Sequence, residues 1–143
     1  MLYLDTSVLA AYYCPEALSD QVQRMLSQEA RPALSSLTEV ELTSAVARKV
    51  RTGELGQADG NRILAKFSSH VDGDLFWLIP VEQHHWRLAR GWIGLFSTSL
   101  STLDTLHLAI VSSEGLQLVT ADRVLFQAAE GLGVEVRLVS GEA

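Results

Sequence analysis

The chain has 143 residues, 48% of them hydrophobic, and its 17 acidic against 11 basic side chains give a formal charge of −6 at pH 7. That length supports one domain around one core and is short for two, so 1–143 reads as a single unit. No apolar run approaches the roughly 20 residues of a membrane span and no basic leader precedes Leu2, so the expected setting is the cytoplasm, with no membrane partner.

Residues 2–5 form a predicted strand ending on Asp5, and an apolar helix over 7–13 follows until Pro15, which lacks an amide donor, stops it. A helix over about 16–28 places Leu18, Val22, Met25 and Leu26 on one stripe. A short strand over 33–36 leads into a helix over 38–51 that Gly53 terminates. Ile63, Leu64, Phe67 and Val71 mark a helix over 57–71, and Asp72-Gly73-Asp74 turns the chain into a strand over 75–81. A helix over 83–96 and a polar loop over 97–102 precede a helix over 103–113 that is apolar nearly all round, and hence buried. A strand over 116–120, a helix over 123–130 and a strand over 134–139 close the chain. Alternating strands and helices imply an α/β fold, a three-layer α/β/α sandwich with a mostly parallel sheet.

Four acids stand where helices begin: Asp5, Glu41, Asp104 and Asp122. In a parallel sheet such junctions share the carboxyl edge, so acids far apart in sequence can converge there. Two carboxylates about 5 Å apart repel by about 3 kcal/mol at an effective dielectric near 20, and six such pairs would cost on the order of 20 kcal/mol. Whole domains are stable by roughly 5–15 kcal/mol. Either some of the acids hold protons or a cation sits among them, and oxygen-only ligands select a hard ion such as Mg²⁺ or Mn²⁺.

Each acid also has a structural explanation. Thr38 with Glu41, or Ser36 with Glu39, fits a capping box; Asp104 suits a first helical turn; Asp122 and Asp5 suit N-caps. Asp104 is nonetheless the only formal charge between Arg90 and Glu114, and Asp5 closes an apolar strand. Charges in such settings are costly unless paired or bound to a cation. His107, one turn beyond Asp104, lies in so apolar a run that it reads as a satisfied core histidine. The acidic balance opposes broad capture of nucleic acid, although Arg48, Lys49 and Arg51 form a basic knot after Glu41, with Arg48 on a similar helical face as a candidate phosphate contact. The lone Cys14 has neither a disulfide partner nor zinc-ligand neighbours.

Leu4-Asp5-Thr6-Ser7, the 38–48 segment with Glu41, Leu103-Asp104-Thr105-Leu106-His107-Leu108-Ala109 and Val119-Thr120-Ala121-Asp122-Arg123 together resemble the PIN-domain family, and within it the VapC toxins. The resemblance implies a PIN-like sandwich, a Mg²⁺- or Mn²⁺-dependent endoribonuclease, a homodimer and inhibition by a cognate antitoxin. It implies metal-site roles for Asp5, Glu41, Asp104 and Asp122, with Thr6 and Thr120 supporting the pocket. Glu39 competes with Glu41 for the inward position, because two residues of shift changes which glutamate faces in. Ser7, two positions after Asp5 where a haloacid-dehalogenase-like phosphatase would need a second acid, argues against that fold, as does the absence of a glycine-rich phosphate loop. A non-catalytic PIN scaffold and a nuclease acting on DNA or structured substrates are the alternative functions.

Overall fold

The computed structural model describes residues 1–28 and 31–140. Five strands, β1 (Leu2–Leu4), β2 (Ala33–Ser35), β3 (Trp77–Ile79), β4 (Gln117–Thr120) and β5 (Val136–Leu138), form one sheet in the order β3-β2-β1-β4-β5, and every pairing is parallel. Helices α1 (Thr6–Tyr13), α2 (Ser19–Ser27), α3 (Ser36–Arg51) and α4 (Gln57–Asp72) cover one face. The opposite face carries α5 (Gln83–Ile93), α6 (Thr102–Glu114) and α7 (Arg123–Gly131). The expected α/β/α sandwich is present, and none of the described helices is long and apolar enough to cross a membrane.

Alternation along each strand divides the core. Leu2, Leu4, Leu34 and Val119 point toward Val8, Leu9, Leu42 and Val46, whereas Tyr3, Ala33 and Leu118 point toward Leu106, Ile110 and Leu125. Burying each such aliphatic side chain stabilises the fold by roughly 1.5–3 kcal/mol. The central strand β1 is flanked by β2 and β4, and the Asp5 amide extends its ladder by donating to the Val119 carbonyl at 3.0 Å. Because β4 runs parallel to β1, α6 must descend along the sheet before it, which sets the α6 N-terminus over the carboxyl edge.

Several predicted boundaries move for local reasons. Helix α2 starts at Ser19 rather than 16, because the Ser19 hydroxyl accepts from the Glu16 amide and donates to the Cys14 carbonyl, both at 2.9 Å, and so commits those residues to a turn. Helix α3 begins at Ser36, two residues before the expected start, behind Ser35 as N-cap. The strand predicted over 75–81 shortens to the edge strand β3, which Asp74 precedes in a left-handed conformation, φ 59°. Helix α5 ends at Ile93 rather than 96; Gly94 is its C-cap and Phe96 takes φ 59°.

Candidate active site

Asp5 follows directly on β1, in extended backbone, and its side chain makes no cap to α1. It is 6% exposed. The Ser7 and Thr120 hydroxyls both donate to its Oδ2 at 2.7 Å, and they are themselves fixed by the Ala121 and Asp122 amides at 3.0 Å. Thus the first turn of α1 and the end of β4 aim one carboxylate through two hydroxyls, and among the described residues Oδ1 receives no hydrogen bond. Thr120 is thereby a direct hydrogen-bond partner of Asp5. Ser7 is a second such partner, one that its sequence position alone does not mark.

Asp104 sits in the first turn of α6, whose cap is the Ser101 hydroxyl accepting from the Asp104 amide at 3.2 Å. The carboxyl is therefore not needed as a cap. Burial first, and then the charge of Asp5, raise the Asp104 carboxyl above its ordinary range, with Glu41 adding to the effect; Ser101 and His107 oppose it. Such a shift is the expected response of a carboxylate held near other anions without a counter-ion.

Glu41 reaches the same edge from α3, on the opposite face of the sheet from α6. Its Oε1 accepts from the Thr6 hydroxyl at 3.2 Å and from Nε2 of the fully buried His107. Burial pushes the Glu41 carboxyl up, but the His107 hydrogen bond and charge, together with Thr6, outweigh it and hold the group below its ordinary value. The capping-box alternative for this residue is displaced: Ser35 is the cap, and Thr38 accepts from the Ser35 amide at 3.4 Å. Among the described residues the Glu39 carboxylate accepts no hydrogen bond, its backbone carbonyl accepts from the Thr43 hydroxyl at 2.9 Å, and it is not among the charges acting on Asp104. The structure thus brings together Asp5, Glu41 and Asp104, with Thr6 and Thr120 beside them.

Asp122 differs from the other three. It is exposed, and its Oδ1 caps α7 by accepting from the Val124 and Leu125 amides at 2.9 and 3.2 Å. Its structural role is real, and the four-way repulsion expected from sequence is reduced: Asp122 answers a helix terminus, Glu41 answers His107, and the uncompensated pair is Asp5 with Asp104. Asp122→Asn should keep the melting temperature, whereas Asp122→Ala should lose about 1 kcal/mol in a thermal melt. In a cleavage assay Asp122→Asn should cost less than Asp104→Asn; an equal loss would give Asp122 a full share in the site.

The donor set fits a hard divalent cation. It is made of carboxylate oxygens, with Asp5 buried and Asp104 raised by its burial and by the Asp5 charge, and an ion would offset that repulsion. The acids do not draw three donor atoms within 4.8 Å of one another; among the described residues only His84, His85 and Glu114 do so. That second cluster is a structural tie. The Glu82 amide donates to His85 Nδ1 at 2.9 Å, which leaves the proton on Nε2, facing Glu114 at 2.8 Å. Both nitrogens are already used, and a metal at Nε2 would forfeit the cap of α5. Arg48 lies exposed beside Ser7 and Ala121 along a surface cleft of about 370 Å³, while its neighbour Lys49 is engaged by Glu16 and Glu54 at 3.4 and 3.2 Å.

Comparison with known proteins follows the same lines. Residues 2–131 match the family model of the PIN domain. The ribonuclease VapC46 of Mycobacterium tuberculosis is 32% identical over 138 residues, which cover 94% of this chain and 95% of that protein. Two solved structures share the fold: FitAcB from Neisseria gonorrhoeae, with TM-score 0.73, 22% identity and coverage of 95% of this chain and 96% of that one, and the sarcin-ricin loop cleaving toxin VapC20 of Mycobacterium tuberculosis, with TM-score 0.71, 15% identity and coverage of 90% and 95%. VapBC2 from Rickettsia felis, bound to a DNA fragment from its promoter, has TM-score 0.69 at 16% identity, covering 97% of this chain and 99% of that one. With its acids gathered at the carboxyl edge of a β3-β2-β1-β4-β5 sheet, this chain belongs to the PIN-domain family, in its VapC-type branch.

Proposed function

We propose that the protein is a Mg²⁺- or Mn²⁺-dependent endoribonuclease, the toxin of a toxin–antitoxin pair, working as a homodimer of single-domain chains and restrained by a cognate antitoxin. The observation that carries this is the buried Asp5 carboxylate coupled to a raised Asp104 carboxyl at the sheet edge. The similarity to a ribonuclease, and to chains solved within toxin–antitoxin complexes, supports the same assignment.

Asp5, Asp104 and Glu41 would hold the ion, with Asp122 at the rim. When bound, the ion supplies Lewis acidity, lowering the pKa of an attacking water and neutralising charge that grows on the phosphoryl oxygens. The chain's own contribution is orientation. Ser7 and Thr120 fix Asp5, Thr6 fixes Glu41, and the α6 N-terminus carries Asp104 against them. Positioning of this kind removes the entropy of assembling the reacting groups in the transition state.

A fluorogenic single-stranded RNA, its matched DNA and a chelator control test the assignment. RNA cleavage that chelator abolishes is expected, and cleavage of DNA alone would redirect the substrate. Arg48, on the rim, should contact phosphate: Arg48→Ala should weaken RNA binding evenly across sequences and reduce the slope of log affinity against log salt by about 0.7, the value for one contact on a single strand. An unchanged slope would remove Arg48 from the interface.

A further inference from the structure

Behind Glu41 a polar chain runs through the core. The hydroxyl of Tyr3, a fully buried β1 residue, contacts Ser35 Oγ at 2.8 Å, Thr38 Oγ1 at 3.4 Å and His107 Nδ1 at 2.6 Å, and the far nitrogen of His107 meets Glu41. These residues come from β1, β2, α3 and α6, so the network ties two strands to one helix of each layer. Packing alone does not require it. Replacing both partners of a buried polar contact by apolar groups of similar shape is often neutral, so the Tyr3–His107 contact taken by itself could be phenylalanine on leucine. What distinguishes the chain is its outer end, which is a carboxylate of the acid cluster.

We propose that Tyr3 and His107 are positioning residues that lock Glu41 by its Oε1 and so present Oε2 to the cation, an inference that rests on the metal-dependent nuclease assigned above. A carboxylate only accepts, so Nε2 of His107 carries the proton of that bond. Tyr3 holds the other ring nitrogen at 2.6 Å and fixes the plane of the imidazole. Supporting partners of metal-ligating side chains act in this way, and their loss costs about 10- to 100-fold in metal affinity.

The test is Mn²⁺ binding by calorimetry on the full chain, beside thermal melts, for wild type, Tyr3→Phe, His107→Gln and the double variant Tyr3→Phe/His107→Leu. The double variant leaves Glu41 with Thr6 as its partner, so it should melt lower than wild type and bind Mn²⁺ about 10- to 100-fold more weakly. His107→Gln, whose amide can still donate to Glu41, should recover part of that loss. A folded double variant with wild-type Mn²⁺ affinity overturns the proposal. If the double variant does not fold, Tyr3→Phe decides, since it deletes one hydroxyl and keeps the ring; unchanged affinity there overturns it equally. Failure of wild type to bind Mn²⁺ would instead count against the metal-dependent assignment. In that case nitrogen NMR of His107 still judges the chain: a proton on Nε2 that shifts in Glu41→Gln supports it, and a proton on Nδ1 alone overturns it.

Discussion

Asp104→Asn should abolish metal-dependent RNA cleavage while making the metal-free protein more stable at neutral pH. The amide keeps the shape of the side chain and removes an anionic ligand, so the loss should exceed the roughly 100-fold at the upper end for a supporting partner. The stability change has a definite sign. Because burial and Asp5 raise the folded-state value for Asp104, the folded protein binds more protons than the unfolded chain between the ordinary and the raised value. Asp104 therefore costs stability as pH rises through that window, and the cost persists above it. Asparagine removes the cost, so the melting temperature should rise by a few degrees at pH 7, and the difference should vanish below the ordinary carboxylate range. Melts across pH in chelator, beside a cleavage assay, check both. A variant that melts lower than wild type at pH 7, or that cleaves normally, contradicts the coupled-acid site. Asp5→Asn should likewise lose cleavage, with a smaller gain in stability, because Ser7 and Thr120 already satisfy its Oδ2.

Glu41→Gln should be the inactive member of the glutamate pair, and its effect on stability should have the opposite sign. Glu41 is held below its ordinary value, so it contributes stability above the unfolded-state value that is lost as pH falls through the folded one. Glutamine leaves His107 Nε2 a neutral acceptor in place of a charged one, a loss of about 1 kcal/mol at pH 7. Glu39→Gln should leave both cleavage and melting temperature near wild type. Parallel activity assays at saturating Mn²⁺ with melts at pH 7 separate the cases. A larger loss at Glu39 would mean that α3 presents its other carboxylate, and small equal losses would remove both from the chemistry.

Asp5 was legible because an acid that ends an apolar strand is hard to explain otherwise, and the parallel fold followed from strands alternating with helices. The choice between Glu39 and Glu41 was not. It depends on where α3 begins: the sequence reading weighs Ser36 and Thr38 as caps, whereas the cap is Ser35, and the packing of Leu42 and Val46 into the core sets the helix register. The capping role of Asp122 was legible locally, and its distance from the Asp5–Asp104 coupling was not. His107 was readable as a satisfied core residue. Its partners were not, since Tyr3 is 104 residues away and Glu41 is 66, and hydrophobic periodicity carries no information about which helices meet over a sheet edge. Edge strand β3 was overextended because apolar residues on a chain edge mimic a buried strand, although Trp77 and Leu78 are exposed at 47% and 44%.

The most direct measurement is a Mn²⁺ titration of the wild-type melting temperature at pH 7, repeated with Asp104→Asn. If Asp5 and Asp104 form an anionic pocket built around a divalent cation, wild type should gain stability in a saturable manner, and Asp104→Asn, already relieved of the repulsion, should gain little. Wild type that is indifferent to Mn²⁺, or a variant that responds as strongly as wild type, would contradict the account.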